Sequence, residues 1–242
     1  MSNIKIVTIY HKRYPTYSDI KEYPDLYVPI LAGNTLGLTK PFIENMLVDD
    51  IGDNISWVNP YLNEVTAMYW IWKHAECIGN PEFIGVCHYR RFFNMSDIQK
   101  VFEGKLVVNK EFLPVPELDA LSFTFESDIP IQAIDLAEHT LDTDGKFPKK
   151  WFYEYMNLLW QYNREMFVCP WYIFDELMTY LTKLFPYMFK HIKYDHRTSF
   201  TYRNMSLVTE CMIGFFFYCL GKSGFKLHEA DYAFFVPEGF TK

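Results

Sequence analysis

Apolar positions follow two rhythms along this chain, one dense and one spaced by three to four residues. Ile4-Lys5-Ile6-Val7-Thr8-Ile9 is a β-branched run without a breaker and predicts a first strand, ending at Tyr10-His11-Lys12-Arg13. Phe83-Ile84-Gly85-Val86-Cys87 is apolar at successive positions, as a central strand covered on both faces would be. It runs into His88-Tyr89-Arg90-Arg91 with no turn signal between. Leu106-Val107-Val108 and Met166-Phe167-Val168-Cys169 predict further short strands. Residues 14 to 55 hold several Pro and Gly with little periodicity and predict loops with short elements.

The longer rhythm predicts helices. Asn59-Pro60 opens one that reaches about Cys77, with Asn as cap and Pro in the first turn. Leu62, Val65, Tyr69 and Trp72 would share its buried face, and Gly79-Asn80-Pro81 stops it. Others are expected over about 131–140, Lys150 to Gln161, Tyr172 to His191 and Met205 to Leu220, the last ending at Gly221. A helix followed by a buried strand is half of a βαβ unit, so the pattern predicts an α/β fold. Its central sheet should be mostly parallel and flanked by helices. No repeat, low-complexity tract or linker interrupts residues 1–242, which read as one domain.

Composition narrows the function classes. A net charge of −7 and a pI near 5.5 argue against a broad nucleic-acid footprint. Arginines clustered in an acidic chain suit a small anionic ligand better than a polyanion. Aromatic residues make up 19% of the chain, enough to stack sugars or bases, although core filling explains most of them. Cys77, Cys87, Cys169, Cys211 and Cys219 form no CxxC pair, and with no signal peptide they read as buried, reduced thiols of a cytoplasmic protein. The longest apolar stretch, Met212 to Leu220, is about half a bilayer span, which leaves peripheral contact with the inner face of a membrane open.

Ligands of open α/β sheets bind beyond the carboxyl ends of the strands, where this chain carries its imidazole and guanidinium groups. Arg suits bidentate contact with phosphate, so a phosphate-bearing ligand is expected. If strand alternation persists, His88 and Arg90 share one face, and Tyr89 and Arg91 the other. His88 with Arg90 is the favoured pair; the competing reading has both arginines neutralising buried carboxylates. Glu64, near a helix N-terminus, suits either the helix dipole or a sugar hydroxyl. Glu210 lies in an otherwise apolar helix, where desolvation would raise its pKa as a general base requires, unless Arg203 or another cation pairs with it. Asp142-Thr143-Asp144 spells DxD but sits in a turn-like stretch with no strand before it. His191 and His196 match no metal-ligand spacing, and GxGxxG, P-loop and nucleophile-elbow motifs are absent.

Four stretches carry a resemblance: Lys5 to Lys12; Gly52-Asp53-Asn54-Ile55-Ser56 with Asn59-Pro60; Glu64 to Lys73 leading into Ile84 to Phe93; and Met166-Phe167-Val168 with Ser206 to Gly214. With them the sequence resembles a family of bacterial capsular- and exopolysaccharide-biosynthesis proteins, long catalogued as a domain of unknown function. Its members are regarded as glycosyltransferases, some of them galactofuranosyltransferases. The resemblance implies a Rossmann-like, GT-A-type fold that takes a sugar nucleotide, plausibly UDP-linked, and a glycan acceptor. Residues 1–110 would bind the nucleotide sugar and 111–242 the acceptor. Thr8, His11, Asp53, Asn54, Glu64, Tyr89 and Arg91 would contact the donor, and Arg90, His88 and Glu210 would serve catalysis. Residues 94 to 150 depart from the family, and Thr209-Glu210-Cys211 stands where members more often show Ser-Glu-Arg. The motif strand ends in cations where many such enzymes place DxD. Cations can offset a leaving diphosphate unaided, so no divalent metal is expected to be required.

Overall fold

The computed structural model describes residues 3–16, 18–112, 129–142, 145–192 and 204–236. The first strand, β1 (Ile4–Tyr10), is followed by a short helix α1 (Ser18–Glu22), β2 (Tyr27–Leu31) and β3 (Leu47–Val48). Then come α2 (Asn59–Leu62), α3 (Val65–Lys73), β4 (Phe83–His88), β5 (Arg91–Phe93), α4 (Met95–Ile98) and β6 (Leu106–Phe112). The remaining elements are α5 (Ile129–Thr140), α6 (Lys149–Met156), β7 (Trp160–Pro170), α7 (Trp171–His191), α8 (Asn204–Lys222), β8 (Leu227–Ala230) and β9 (Tyr232–Phe234).

The strands form one sheet in the order β3-β2-β1-β4-β7-β6-β8, with β5 and β9 branching from the end of β4. The fold class is α/β with a central helix-flanked sheet, as the pattern predicts, but the pairings are evenly mixed. β3, β2, β1 and β4 run parallel, as do β6 and β8, whereas β4–β7, β7–β6, β4–β5 and β5–β9 are antiparallel. Side chains alternate between two cores. Val7, Ile9, Ile84, Val86, Val108 and Phe167 face the larger one, with α3, α5, α7 and α8 packed against them. Ile6, Tyr10, Cys87, Val107 and Val168 face a smaller core closed by Ile20 of α1 and Ile98 of α4. Two covered faces explain the unbroken apolar run of β4. Gly85 belongs to that packing: a Cβ there would lie 2.5 Å from Ile6 Cδ1 and 3.2 Å from the Phe167 carbonyl oxygen.

The helix expected over 60–77 is broken. Asn63 adopts φ 45°, ending α2, and a new helix starts at Val65 with Glu64 at its N-cap. The Asn63 carbonyl, released from the helix ladder, accepts from Asn59 Nδ2 at 2.7 Å and Thr66 Oγ1 at 3.1 Å. Asn tolerates such a backbone better than a branched residue does. The break also rotates the buried face: Ala67, Met68, Trp70 and Ile71 are buried, whereas Tyr69 and Trp72 are only half-buried.

Strand β2 lay hidden in the expected loop region because Pro29 sits at its centre. Ala32 donates its N–H toward β1, so by alternation the Pro29 nitrogen faces the other side. There β3 reaches only Ile30 and Leu31, and no ladder bond is lost. The helix expected over 150–161 ends at Met156, and β7 starts at Trp160. Of the cysteines, Cys77 is exposed rather than buried. Met205–Lys222 is long and apolar enough to cross a membrane, but two-thirds of it is buried within the fold.

Candidate functional site

The carboxyl end of β4 is the centre of the site, and the strand stops there. Tyr89 and Arg90 form a two-residue turn, and Arg91 pairs opposite His88 as β5 begins. The alternation that would place His88 and Arg90 on one face therefore does not apply; Arg91 is the residue across from His88. No Gly, Asn, Asp or Pro marks this turn, which is why the sequence conceals it.

His88 shares the face of Val86 and turns toward the start of α3. Its Nδ1 lies 3.2 Å from Glu64 Oε1, and its Nε2 contacts the carbonyl oxygen of Arg164 in β7. Both partners are acceptors, and only a ring carrying both N–H protons satisfies both. Burial alone would raise the Glu64 pKa. The hydrogen bond and charge of His88, with the charge of His11 at 4.0 Å, outweigh it and lower the carboxyl to about 2. With both ring nitrogens engaged, His88 ties Glu64 to the Arg164 carbonyl.

Arg164 was not singled out from the sequence, yet it links the other groups. It and Glu165 adopt φ 66° and 53°, two successive left-handed residues where β7 bulges against β6 between Val108 and Lys110. This backbone turns the Arg164 carbonyl to His88 and its N–H to Glu210 Oε1 at 2.7 Å, while Arg164 Nε donates to Glu111 Oε1 at 3.0 Å. Desolvation raises the Glu210 pKa; the opposing pull of Arg164 and His88 is smaller. Two neighbouring carboxyl groups thus have pKa values displaced in opposite directions, a pattern typical of sites that move protons. The sequence offers one signal for Arg164, a charged residue just before the apolar run Met166–Cys169.

Tyr89 is buried beneath the mouth of the site. Its ring centroid lies 5.0 Å from that of His11, 4.9 Å from that of Tyr14 and 5.9 Å from that of Tyr10. The Arg90 guanidinium lies 5.4 Å from the Tyr89 centroid and 5.2 Å from that of Phe234, and Arg91 lies 5.6 Å from both Tyr232 and Phe234. Neither arginine forms an ion pair among the described residues, and the Nε atoms of both are buried without an acceptor there. Among the described residues, no buried carboxylate neutralises either guanidinium.

Thr8 is fully buried on the smaller-core face, its hydroxyl without a partner among the described residues. Asp53 and Asn54 lie in a surface loop. Asp53 Oδ1 accepts from the Tyr69 hydroxyl at 3.1 Å, while Asn54 closes a turn with Gly52 and Ser56. The deeply placed acid of this segment is Asp49, fully buried at the end of β3. It accepts from Gly33 N at 2.8 Å, Asn34 N at 3.0 Å, Ser56 Oγ at 2.6 Å and Thr66 Oγ1 at 2.7 Å. Gly33 is required in this turn: at φ 71°, a Cβ would lie 2.6 Å from Asn59 Oδ1.

Asp142 is exposed in the turn after α5, where its carbonyl oxygen accepts from Lys149 N, and His191 is exposed at the end of α7. Thr143, Asp144, Asp195, His196, Arg197 and Arg203 lie outside the described residues. Among the described residues no three His, Cys, Asp or Glu side chains converge as a metal site. A cavity of about 840 Å³ lies apart from His88 and the arginines, lined by Lys5, Ile20, Tyr27, Phe42, Leu47 and Ile78.

No curated protein matches the sequence. The solved apo structure of the bifunctional glycosyltransferase WbbM matches at a TM-score of 0.76 and 19% identity, covering 99% of this chain and 46% of that one. The likeness is one of fold, and this chain spans less than half the length of that protein. The family model described as a domain of unknown function, DUF4422, matches residues 5–219, and the chain belongs to that family.

Proposed function

We propose that the protein is a glycosyltransferase that moves a sugar from a nucleotide donor, UDP-linked and in the galactofuranose class, to a polysaccharide or glycolipid acceptor. The observation that carries this reading is the pair Arg90 and Arg91. They sit at the carboxyl end of a central strand, half-buried, with unpartnered Nε donors and no carboxylate partner among the described residues. That arrangement suits a diphosphate, whose oxygens accept charge-assisted hydrogen bonds from guanidinium groups. The fold shared with WbbM agrees with it.

In the proposed reaction the acceptor hydroxyl oxygen bonds to the anomeric carbon as the bond to the diphosphate oxygen breaks. The leaving nucleoside diphosphate takes the electron pair, steadied by Arg90 and Arg91. Glu210, its pKa raised by burial, accepts the hydroxyl proton. The Glu64–His88 pair fixes the Arg164 carbonyl and the floor of the site. His11 and Tyr89 border the proposed donor site, whereas Thr8 is fully buried and Asp53 and Asn54 lie in the surface loop beside Tyr69, so a donor contact at these three needs a ligand reaching beyond the arginine turn. Guanidinium charge takes the place of a metal at the diphosphate.

Incubation with a panel of UDP-sugars, with free UDP as readout, tests the reading. Donor-dependent UDP release supports transfer. Donor binding without release points instead to a non-catalytic nucleotide- or glycan-binding subunit of a polysaccharide assembly complex. Activity abolished by EDTA and restored by Mn²⁺ would overturn metal independence and return attention to Asp142 and Asp144.

A further inference from the structure

The carboxyl end of β1 presents a second pair of cations beside the arginine turn. Lys12 and Arg13 are exposed, and neither forms an ion pair among the described residues. Each rests against a ring instead, Lys12 Nζ at 5.8 Å from the Tyr89 centroid and Arg13 Cζ at 6.0 Å from the Phe42 centroid. Both distances lie near the outer limit of cation–π attraction, about 6 Å, so an anion can draw either group off its ring.

Arg13 and Phe42 also line a pocket of about 400 Å³ with Tyr14, Pro15 and Thr16. The Tyr10 ring packs edge-on to Phe42 at 5.5 Å, and its buried hydroxyl has no partner among the described residues. Burial pushes that phenol pKa upward, so it stays an O–H donor. His11 joins this corner to the chemistry, 5.0 Å from the Tyr89 centroid and 4.0 Å from Glu64 Oε1.

Charge then decides what fits. Arg90 and Arg91 already match the two negative charges of the diphosphate in one nucleotide-sugar donor. Lys12, at the Tyr89 ring, and Arg13, at the Phe42 ring, add two more positive charges, in a chain whose net charge is −7. One donor diphosphate leaves that second pair unmatched; a second phosphate-bearing substrate matches it.

We propose that Lys12 and Arg13, with Tyr14 and Phe42, form a second phosphate subsite, and that the acceptor carries its own phosphate or diphosphate there. The proposal rests on the reading of Arg90 and Arg91 as the donor grip. Lys12 and Arg13 would anchor the acceptor phosphate while His11 and Tyr89 separate it from the donor diphosphate.

Calorimetric titration of the full chain with UDP and with inorganic pyrophosphate tests it. With UDP saturating, pyrophosphate should still bind to wild type. The double variant Lys12→Ala/Arg13→Ala should weaken that binding at least tenfold and leave UDP affinity within twofold. Arg90→Ala should do the reverse. Pyrophosphate binding lost on saturation with UDP, or UDP affinity lost in the Lys12/Arg13 variant, would overturn the subsite. Wild type that binds pyrophosphate through Lys12 and Arg13 but does not bind UDP would overturn the donor reading and uphold the subsite. In a parallel arm, co-sedimentation with phosphatidylglycerol–phosphatidylcholine vesicles that depends on Lys12 and Arg13, with no pyrophosphate binding, would reassign the two residues to a membrane headgroup and overturn the proposal. Circular dichroism on both variants should match wild type, since all the altered side chains are exposed or half-buried.

Discussion

Asp49 and the Arg90–Arg91 turn both hold charge at the carboxyl end of the parallel strands, and they hold it in opposite ways. Asp49 is fully buried and accepts four hydrogen bonds, from two backbone amides and two hydroxyls. The arginine guanidiniums lie over aromatic rings, and each leaves a buried Nε without an acceptor among the described residues. A charge saturated by its own chain is part of the architecture. A charge lacking a counter-ion there is poised for a ligand, because an unsatisfied buried donor costs free energy that a bound anion recovers.

The largest effect expected from this contrast is on stability. Asp49→Ala leaves the Gly33 and Asn34 amides and the Ser56 and Thr66 hydroxyls without their acceptor. It should lower unfolding free energy by about 3–5 kcal/mol, read from the denaturant midpoint. An unchanged midpoint would break the contrast from the architectural side.

Arg90→Ala should do the opposite, changing stability by under about 1 kcal/mol while reducing donor-dependent UDP release about a hundredfold, roughly 2.7 kcal/mol of transition-state stabilisation. Full activity in a folded variant would remove Arg90 from the proposed role.

A smaller, pH-dependent pair of effects sharpens the comparison between Glu64 and Glu210. The Glu64 pKa is lowered to about 2 in the folded protein, so its contribution is present above its ordinary value, near 4.5, and lost as pH falls through the folded one. Glu64→Gln should therefore cost about 1–2 kcal/mol at neutral pH and little near pH 2. The Glu210 pKa is raised, so ionisation penalises the fold increasingly as pH climbs through its folded value. Glu210→Gln, which keeps an oxygen for Arg164 N, should relieve that penalty and hold neutral-pH stability at or above wild type. The same variant should lose UDP release. Parallel pH profiles for the two variants would contradict the assignment of opposite environments.

Legibility of the site followed the range of the interactions that build it. His88, Glu64 and Glu210 could be picked out because each is a polar residue set in a strongly patterned apolar element. Arg164 could not, since its importance lies in a left-handed backbone at a bulge between two strands distant in sequence. Asp49 and Asp53 lie four residues apart in one acidic stretch, and nothing local says that the first is buried and the second exposed. The helix break at Asn63 is likewise held in part from afar, by Asn63 Nδ2 donating to Ser206 Oγ at 2.8 Å, a partner 143 residues away.

By itself, the sequence determined the local matters: the buried strands β1 and β4, the long helices, and the cations at the strand ends. Apolar periodicity and residue charge are properties of neighbours in the chain. The tertiary structure decided which of these groups meet. It ended β4 at His88, set Arg91 rather than Arg90 across from it, and folded β9 back so that both arginines rest on Phe234. It also brought Arg164 between His88 and Glu210. Those pairings depend on strand register and on a bulge that the local pattern did not disclose.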